Sequence, residues 1–337
     1  MKKTYLIYLF LISFSIQHMQ AVETGEKSRH FHESITAPAC HKAILEFHQN
    51  QKWNELIEEC LLLMNYFPTS PFSKEANYYL GVAYFNLYDN QLANEYFSKY
   101  LSEEMAPKFF EEVIHYKFEI ASRFEGGAKK HIFGWKKMPS WVSAYDTAIE
   151  IYDEVITTLP RDDLAAKSLF QKGVLLSNME EYKKSVEAFQ TLIRRFPKHS
   201  LAPEGYLGIA AIYLKRCEKE FPDSDLLDLA EINMRKFRFH FPLEPRQEKA
   251  ELMLLNMKEK LAKDLFEIGE FYQRTKKKKA ASLYFATIMK KYPETNAAKQ
   301  SQKRLDKLGI SEKDIFQNKQ KMDHSLVVEN SPTENLH

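Results

Sequence analysis

The chain has 337 residues, 44% of them apolar and 13% aromatic, enough material for an extended core. Its 48 basic and 46 acidic residues leave a net charge of +2, which makes no electrostatic case for nucleic acid or for an anionic membrane. Ten glycines are too few for a turn-rich β architecture and suit long helices.

The N-terminus has the pattern of a signal peptide over residues 1–21: basic Lys2-Lys3, an apolar run at 4–16, and a stretch ending in the small Ala21. An uncleaved amphipathic anchor is the competing reading, and Met19, poor at the position three before the cut, leaves the cleavage site open. The apolar run is too short to span a bilayer, and no later segment approaches about 18 uninterrupted apolar residues. Secretion across the inner membrane is expected, with no transmembrane span after cleavage. Residues 22–36 read as a flexible leader.

From 37 to 308 apolar residues recur at helical spacing. A first hairpin is expected at 37–50 and 52–66. Ser70-Pro71 then reads as an N-cap with Pro in the first helical position. A second hairpin follows at 72–87 and 89–102. A third first-helix at 107–124 ends at Gly126-Gly127, and an insertion near 125–138 delays its partner, from near Trp141 to Thr158. The fourth hairpin is 162–178 with 180–195, and the fifth 201–217 with 225–240. A long helix at 245–275 pairs with 277–291, a closing helix covers 294–308, and 309–337 is a polar, disordered tail.

The second helix of each pair ends on one beat, an aromatic or Leu followed by Pro: Phe67-Pro68, Leu159-Pro160, Phe196-Pro197, Phe241-Pro242 and Tyr292-Pro293. Eight residues before each Pro stand Cys60, Tyr152, Phe189, Met234 and Phe285. Twelve before stand Leu56, Ala148, Ser185, Ala230 and Ala281. Internal repetition of this kind predicts an all-α, tetratricopeptide-type superhelical solenoid of about six helical hairpins. Such an array is a surface for holding other proteins. In the same register Cys40 and Cys60 face each other inside the first hairpin, as a disulfide or as two small buried hydrophobes. Cys217 reads as a buried thiol.

A concave groove would be lined by the second, fifth, ninth and twelfth residues of each first helix. In the second hairpin these are Glu75, Tyr78, Val82 and Phe85, with Asn86 beside them. In the fourth they are Lys167, Phe170, Val174 and Ser177, with Asn178, and in the last Lys263, Phe266, Glu270 and Gln273, with Arg274. This lining suits an extended or helical peptide. The insertion carries Phe133 and Trp135 among four lysines, either as a contact surface or tucked against the array. Lys276 to Lys279 form a run at the last turn, read as a solvated turn or as a contact for an acidic partner or anionic headgroup.

No catalytic or cofactor constellation emerges. Nucleophile elbow, phosphate-binding loop, dinucleotide fingerprint and zinc-protease motif are all missing. His30 and His32 lack the further ligands a zinc site needs, His115 and His131 are isolated, and Glu58-Glu59, Glu103-Glu104 and Glu111-Glu112 diverge on helices. The chain is expected to be a non-enzyme with no cofactor and no metal.

One stretch is more specific. Leu261-Ala262, Ile268-Gly269-Glu270-Phe271-Tyr272, Ala280-Ala281 and Tyr292-Pro293-Glu294-Thr295 resemble the last repeat of the BamD family, tetratricopeptide lipoproteins of the outer-membrane β-barrel assembly machine. Phe67 to Phe72 resembles that family's first repeat junction. The sequence departs from the family in having no lipobox Cys after the apolar run, and in its longer middle. The resemblance implies a periplasmic scaffold, associated with the outer membrane. Its N-terminal groove (Tyr78, Val82, Phe85) would receive unfolded barrel proteins, and its C-terminal repeats (Arg274 to Lys291) would hold the barrel-inserting subunit. The alternatives are another cell-envelope adaptor serving peptidoglycan or division, resembling CpoB, an enzyme using the groove as a clamp, and a secreted effector.

Overall fold

The computed structural model describes residues 36–103, 105–127, 129–130, 142–219 and 224–309. The signal peptide, all but the last residue of the leader, Phe133, Trp135 and residues 310–337 lie outside the described residues. Thirteen helices are described. They are α1 (Ala37–Gln49), α2 (Trp53–Tyr66), α3 (Pro71–Asn86), α4 (Asn90–Glu103), α5 (Phe110–Glu125), α6 (Tyr145–Thr158) and α7 (Asp163–Asn178), then α8 (Tyr182–Arg195), α9 (Ala202–Lys219), α10 (Ser224–His240), α11 (Gln247–Arg274), α12 (Lys278–Lys291) and α13 (Asn296–Leu308). One antiparallel pairing of two-residue strands, β1 (Lys129–Lys130) with β2 (Val142–Ser143), joins the ends of the insertion. The chain forms two compact units, one ending at Ile151 and one beginning at Tyr152, so the division falls within α6.

Each Pro beat ends its helix in the same way. Phe67, Phe196 and Tyr292 donate the last helical bonds to the carbonyls of Leu63, Leu192 and Ile288. All three then leave the helix with nearly identical dihedrals, φ −130, −126 and −134 with ψ 55, 56 and 53. The following Pro disfavours the α conformation for the residue before it, and its missing N–H cannot continue the helix, so the chain turns there. Ser70, Asp162 and Thr295 restart it as N-caps, accepting from the backbone N–H of Phe72, Leu164 and Ala298.

The turn within a hairpin is equally regular. Gln51, Tyr88, Glu180 and Lys276 have φ of 55, 61, 63 and 62. The next residue bonds back across the helix end each time: Lys52 to Phe47, Asp89 to Tyr84, Glu181 to Leu176 and Lys277 to Tyr272, all at 2.9 Å. This is a Schellman cap built four times without glycine.

Packing follows the register of the beat. The ten residues eight and twelve before the five prolines are at most 4% exposed, with Ser185 and Tyr152 at 0%. Phe189 and Phe285 among them, and Phe97 in the second hairpin, wedge between helices where a first helix carries Gly. A Cβ placed on Gly81 would lie 2.5 Å from the Phe97 ring, and one on Gly269 2.7 Å from Phe285. Phe189 is gripped from both sides, since Gly173 and Gly208 would each bring a Cβ to 2.7 Å of its ring. Small residues here are therefore a condition of helix contact.

Polar bonds fix the ends of the second unit. Arg246 Nε reaches Glu244 at 2.6 Å and its Nη1 reaches Glu204 at 2.9 Å, setting the entry into α11. Further along α11, Glu259 accepts from the N–H groups of Asn296 and Ala297 at 2.7 and 3.2 Å, a carboxylate on the positive end of α13. Lys258 bridges Glu294 and Glu231 at 2.6 and 3.2 Å.

Candidate protein-binding surfaces

In the first unit the expected groove residues are core. Tyr78 and Val82 are 2% exposed and Phe85 is 7% exposed. Tyr78 stacks on Phe109 with centroids 4.0 Å apart, and burial beside Glu112 pushes its phenol pKa upward. The Arg123 guanidinium lies 3.6 Å over the Phe85 ring and donates to the Phe85 carbonyl at 2.8 Å and to Asn90 Oδ1 at 3.1 Å. Tyr116 closes on Phe85 at 4.8 Å and Phe97 at 5.1 Å. The physical reason is aromatic burial: α5 and the residues leading into it bring Phe109, Tyr116 and Arg123 over the face of α3 that was expected to be open. Of this set Asn86 alone is exposed, and its amide is turned back onto the Val82 carbonyl at 2.8 Å.

In the second unit Phe170 is half-buried, 5.7 Å from Phe189, and Asn178 is exposed. Phe266 is 8% exposed, its ring tilted against Phe285 at 5.3 Å, while Glu270 is held by Arg304. Arg274 is exposed. The structure therefore keeps the polar members of the expected lining at the surface and draws the aromatic ones inward. Cys40 and Cys60 are buried thiols with no bond between them, and burial beside Glu59 pushes Cys40 up to about 11.

A cleft that the beat did not reveal lies between α8 and α10, floored by α9. It encloses about 560 Å³. Tyr206, Ile209 and Tyr213 make the floor, Ile193 and Arg194 one wall, and Leu229, Ile232 and Lys236 the other. Tyr206 is clamped, stacked on Phe237 at 5.0 Å, with Asn233 donating to its carbonyl at 3.0 Å. Leu229 and Ile232 are 44% and 39% exposed. The only sequence signal for this wall was the spacing of 229, 232 and 236, a second stripe on α10 beside the one facing the core. An apolar floor with arginine and lysine on the rim suits a segment of protein better than a reactive small molecule. Among the described residues no group of three or more His, Cys, Asp or Glu side chains could hold a metal, and no described helix is long and apolar enough to cross a membrane.

The comparisons with known proteins follow this division. Residues 179–325 match the YfiO family model, described as outer membrane lipoprotein, and residues 75–104 match a tetratricopeptide repeat model. No curated protein sequence matches the chain. Solved structures similar to it include MamA of Desulfovibrio magneticus, 15% identical, with a TM-score of 0.34, covering 64% of this chain and 94% of that one. A tetratricopeptide protein of Parabacteroides merdae is 14% identical, with a TM-score of 0.35, covering 79% of this chain and 97% of that one. A tetratricopeptide protein of Thermus thermophilus is 13% identical, with a TM-score of 0.30 and coverages of 65% and 100%. Residues 179–325 thus resemble the YfiO outer-membrane-lipoprotein family, downstream of a segment that matches a tetratricopeptide repeat, in a chain whose described residues are almost wholly helical.

Proposed function

We propose that this protein is a non-enzymatic scaffold of the outer-membrane β-barrel assembly machinery, acting in the periplasm against the outer membrane. The observation that carries the reading is the family match over 179–325, which contains the whole α8–α10 cleft and the last repeat. The barrel-inserting subunit would bind these C-terminal repeats, with Ile193, Leu229, Ile232 and Lys236 as its contacts in the cleft. Unfolded barrel proteins would be received by the first unit, at Asn86 and around the α3–α4 turn, because Tyr78, Val82 and Phe85 are committed to the core. Photocrosslinking from Ile232 in cells tests this. Capture of the barrel-inserting subunit supports it, and adducts without that subunit overturn it.

A second reading rests on the extent of the match. The YfiO model begins at 179, and upstream of it only a general tetratricopeptide repeat at 75–104 is matched. That pattern also fits another envelope adaptor, serving peptidoglycan or division. Depletion separates the two: falling barrel-protein levels favour assembly, and altered septation with normal barrels favours the adaptor.

A further inference from the structure

The balanced charge of the whole chain conceals a segregation. Residues 261–309 hold twelve Lys or Arg against five Asp or Glu, a net +7, where the chain as a whole is +2. The consecutive helices α11, α12 and α13 pack as neighbours. Their alternating direction gathers the C-terminus of α11, the N-terminus of α12 and the C-terminus of α13 at one end. Arg274, Lys276 to Lys279, Lys303 and Lys307 all fall there, and all are exposed. Of the nearby acids, Glu270 is held by Arg304, Asp264 by Lys260 and Asp306 by Gln302, and the exposed Glu267 stands a turn before Phe271 on α11.

The fold does not ask for these lysines. Arg274 and Lys307 complement the negative ends of their helices, but Lys278 and Lys279 occupy the first turn of α12, where a cation opposes the helix dipole. Two cations placed against the helix dipole at adjacent positions point to a use outside folding. The composition then selects the ligand. Six of the seven cations are Lys, compact charges on flexible stems, whereas protein carboxylates are best held by the planar fork of Arg. Beside them Phe271 is 52% exposed and Ile268 41% exposed, one turn apart on α11. The Phe271 ring is 5.6 Å from that of Tyr272, over which Lys277 stands. Lysines rimming an exposed aromatic ring suit a membrane interface.

We infer that this end of the last repeat, Lys276 to Lys279 with Lys303, Lys307 and Phe271, docks on an anionic phospholipid surface. The inference is independent of the assembly reading, because charge placement alone carries it. The test is co-sedimentation of the full chain with phosphatidylcholine vesicles, with and without phosphatidylglycerol; any pull by the apolar N-terminal run is common to both. Phosphatidylglycerol-dependent binding is expected, lost as salt rises toward 1 M, where the screening length falls to about 3 Å. K276Q/K277Q/K278Q/K279Q should lower it by nearly a thousandfold, about tenfold for each 1.4 kcal/mol at about 1 kcal/mol per lysine. Replacing Lys42, Lys74, Lys183 and Lys198, four exposed lysines elsewhere, with Gln should leave it unchanged. F271A should weaken it severalfold without altering the salt dependence. The inference is overturned by indifference to phosphatidylglycerol, by equal loss in the two quadruple variants, or by crosslinking of the lysine turn to an acidic protein in the absence of vesicle binding.

Discussion

Phe189 is held between two glycines from successive first helices, and this contact carries a sharp expectation. Helix propensity alone says that Gly173→Ala should stabilise by about 1 kcal/mol. The added methyl would meet the ring at 2.7 Å, and the ring is buried. Overpacking should win, lowering stability by about 1–3 kcal/mol. Thermal melts decide the sign, and combining G173A with F189L should recover part of the loss, a coupling that a mutant cycle measures. The buried thiols give a second expectation at this scale. Cys40 has its pKa raised from 9.0 to about 11 by burial and by Glu59. The protonated form is favoured in the folded state, so its contribution is complete below pH 9 and is lost as pH rises toward 11. Cys60, Tyr78 and Tyr79 shift in the same direction by burial. Melting temperature should therefore hold level up to about pH 8.5 and fall above pH 9. Alkylation of Cys40 in the native state should be slow at neutral pH for the same reason. Peptide mapping under non-reducing conditions reads the state of Cys40 and Cys60: two alkylated thiols are expected, and a linked peptide would overturn the thiol reading.

Single elements show why so many different residues build one repeated turn. Gln51, Tyr88, Glu180 and Lys276 share a left-handed conformation although none is glycine. The bond from the following N–H to the carbonyl five residues back, with the two packed helices on either side, holds the conformation against its local cost. Gln51→Gly should thus leave the melting temperature unchanged or raise it. Gln51→Val, branched at Cβ, should cost about 1–2 kcal/mol. Equal melting temperatures for the two variants would mean that the turn relaxes to another form. The closing helix α13 is an element of another sort, docked through Glu259, Thr295 and the Lys258 and Arg304 ion pairs as well as through Leu305. Glu259→Gln should loosen its first turn, seen as faster amide exchange at Asn296 and Ala297, with little change at α3.

For the whole molecule, the aromatic-Pro beat and its register were legible because they are local physics. A residue before Pro is disfavoured from continuing a helix, and apolar spacing at the helical period needs no knowledge of neighbours. The boundaries of the hairpins, the inward position of Phe189 or Ala281 and the capping by Ser70 could all be read from adjacent residues. Which face of α3 stays open could not, because Tyr78 and Phe85 look alike whether they meet a partner or meet Phe109, Tyr116 and Arg123. A photocrosslinker at Tyr78 should accordingly give adducts within the chain, and one at Ile232 adducts with a partner. By itself, then, the sequence determined an all-helical repeat protein, its register and its resemblance to an envelope lipoprotein family, since these rest on backbone restriction and periodicity. Only tertiary structure decided that the expected groove of the first unit is filled, that a cleft opens between α8 and α10, and that lysines separated by up to 31 positions meet at one end. Burial and charge clustering depend on which helices become neighbours, and that is settled by packing across the chain rather than along it.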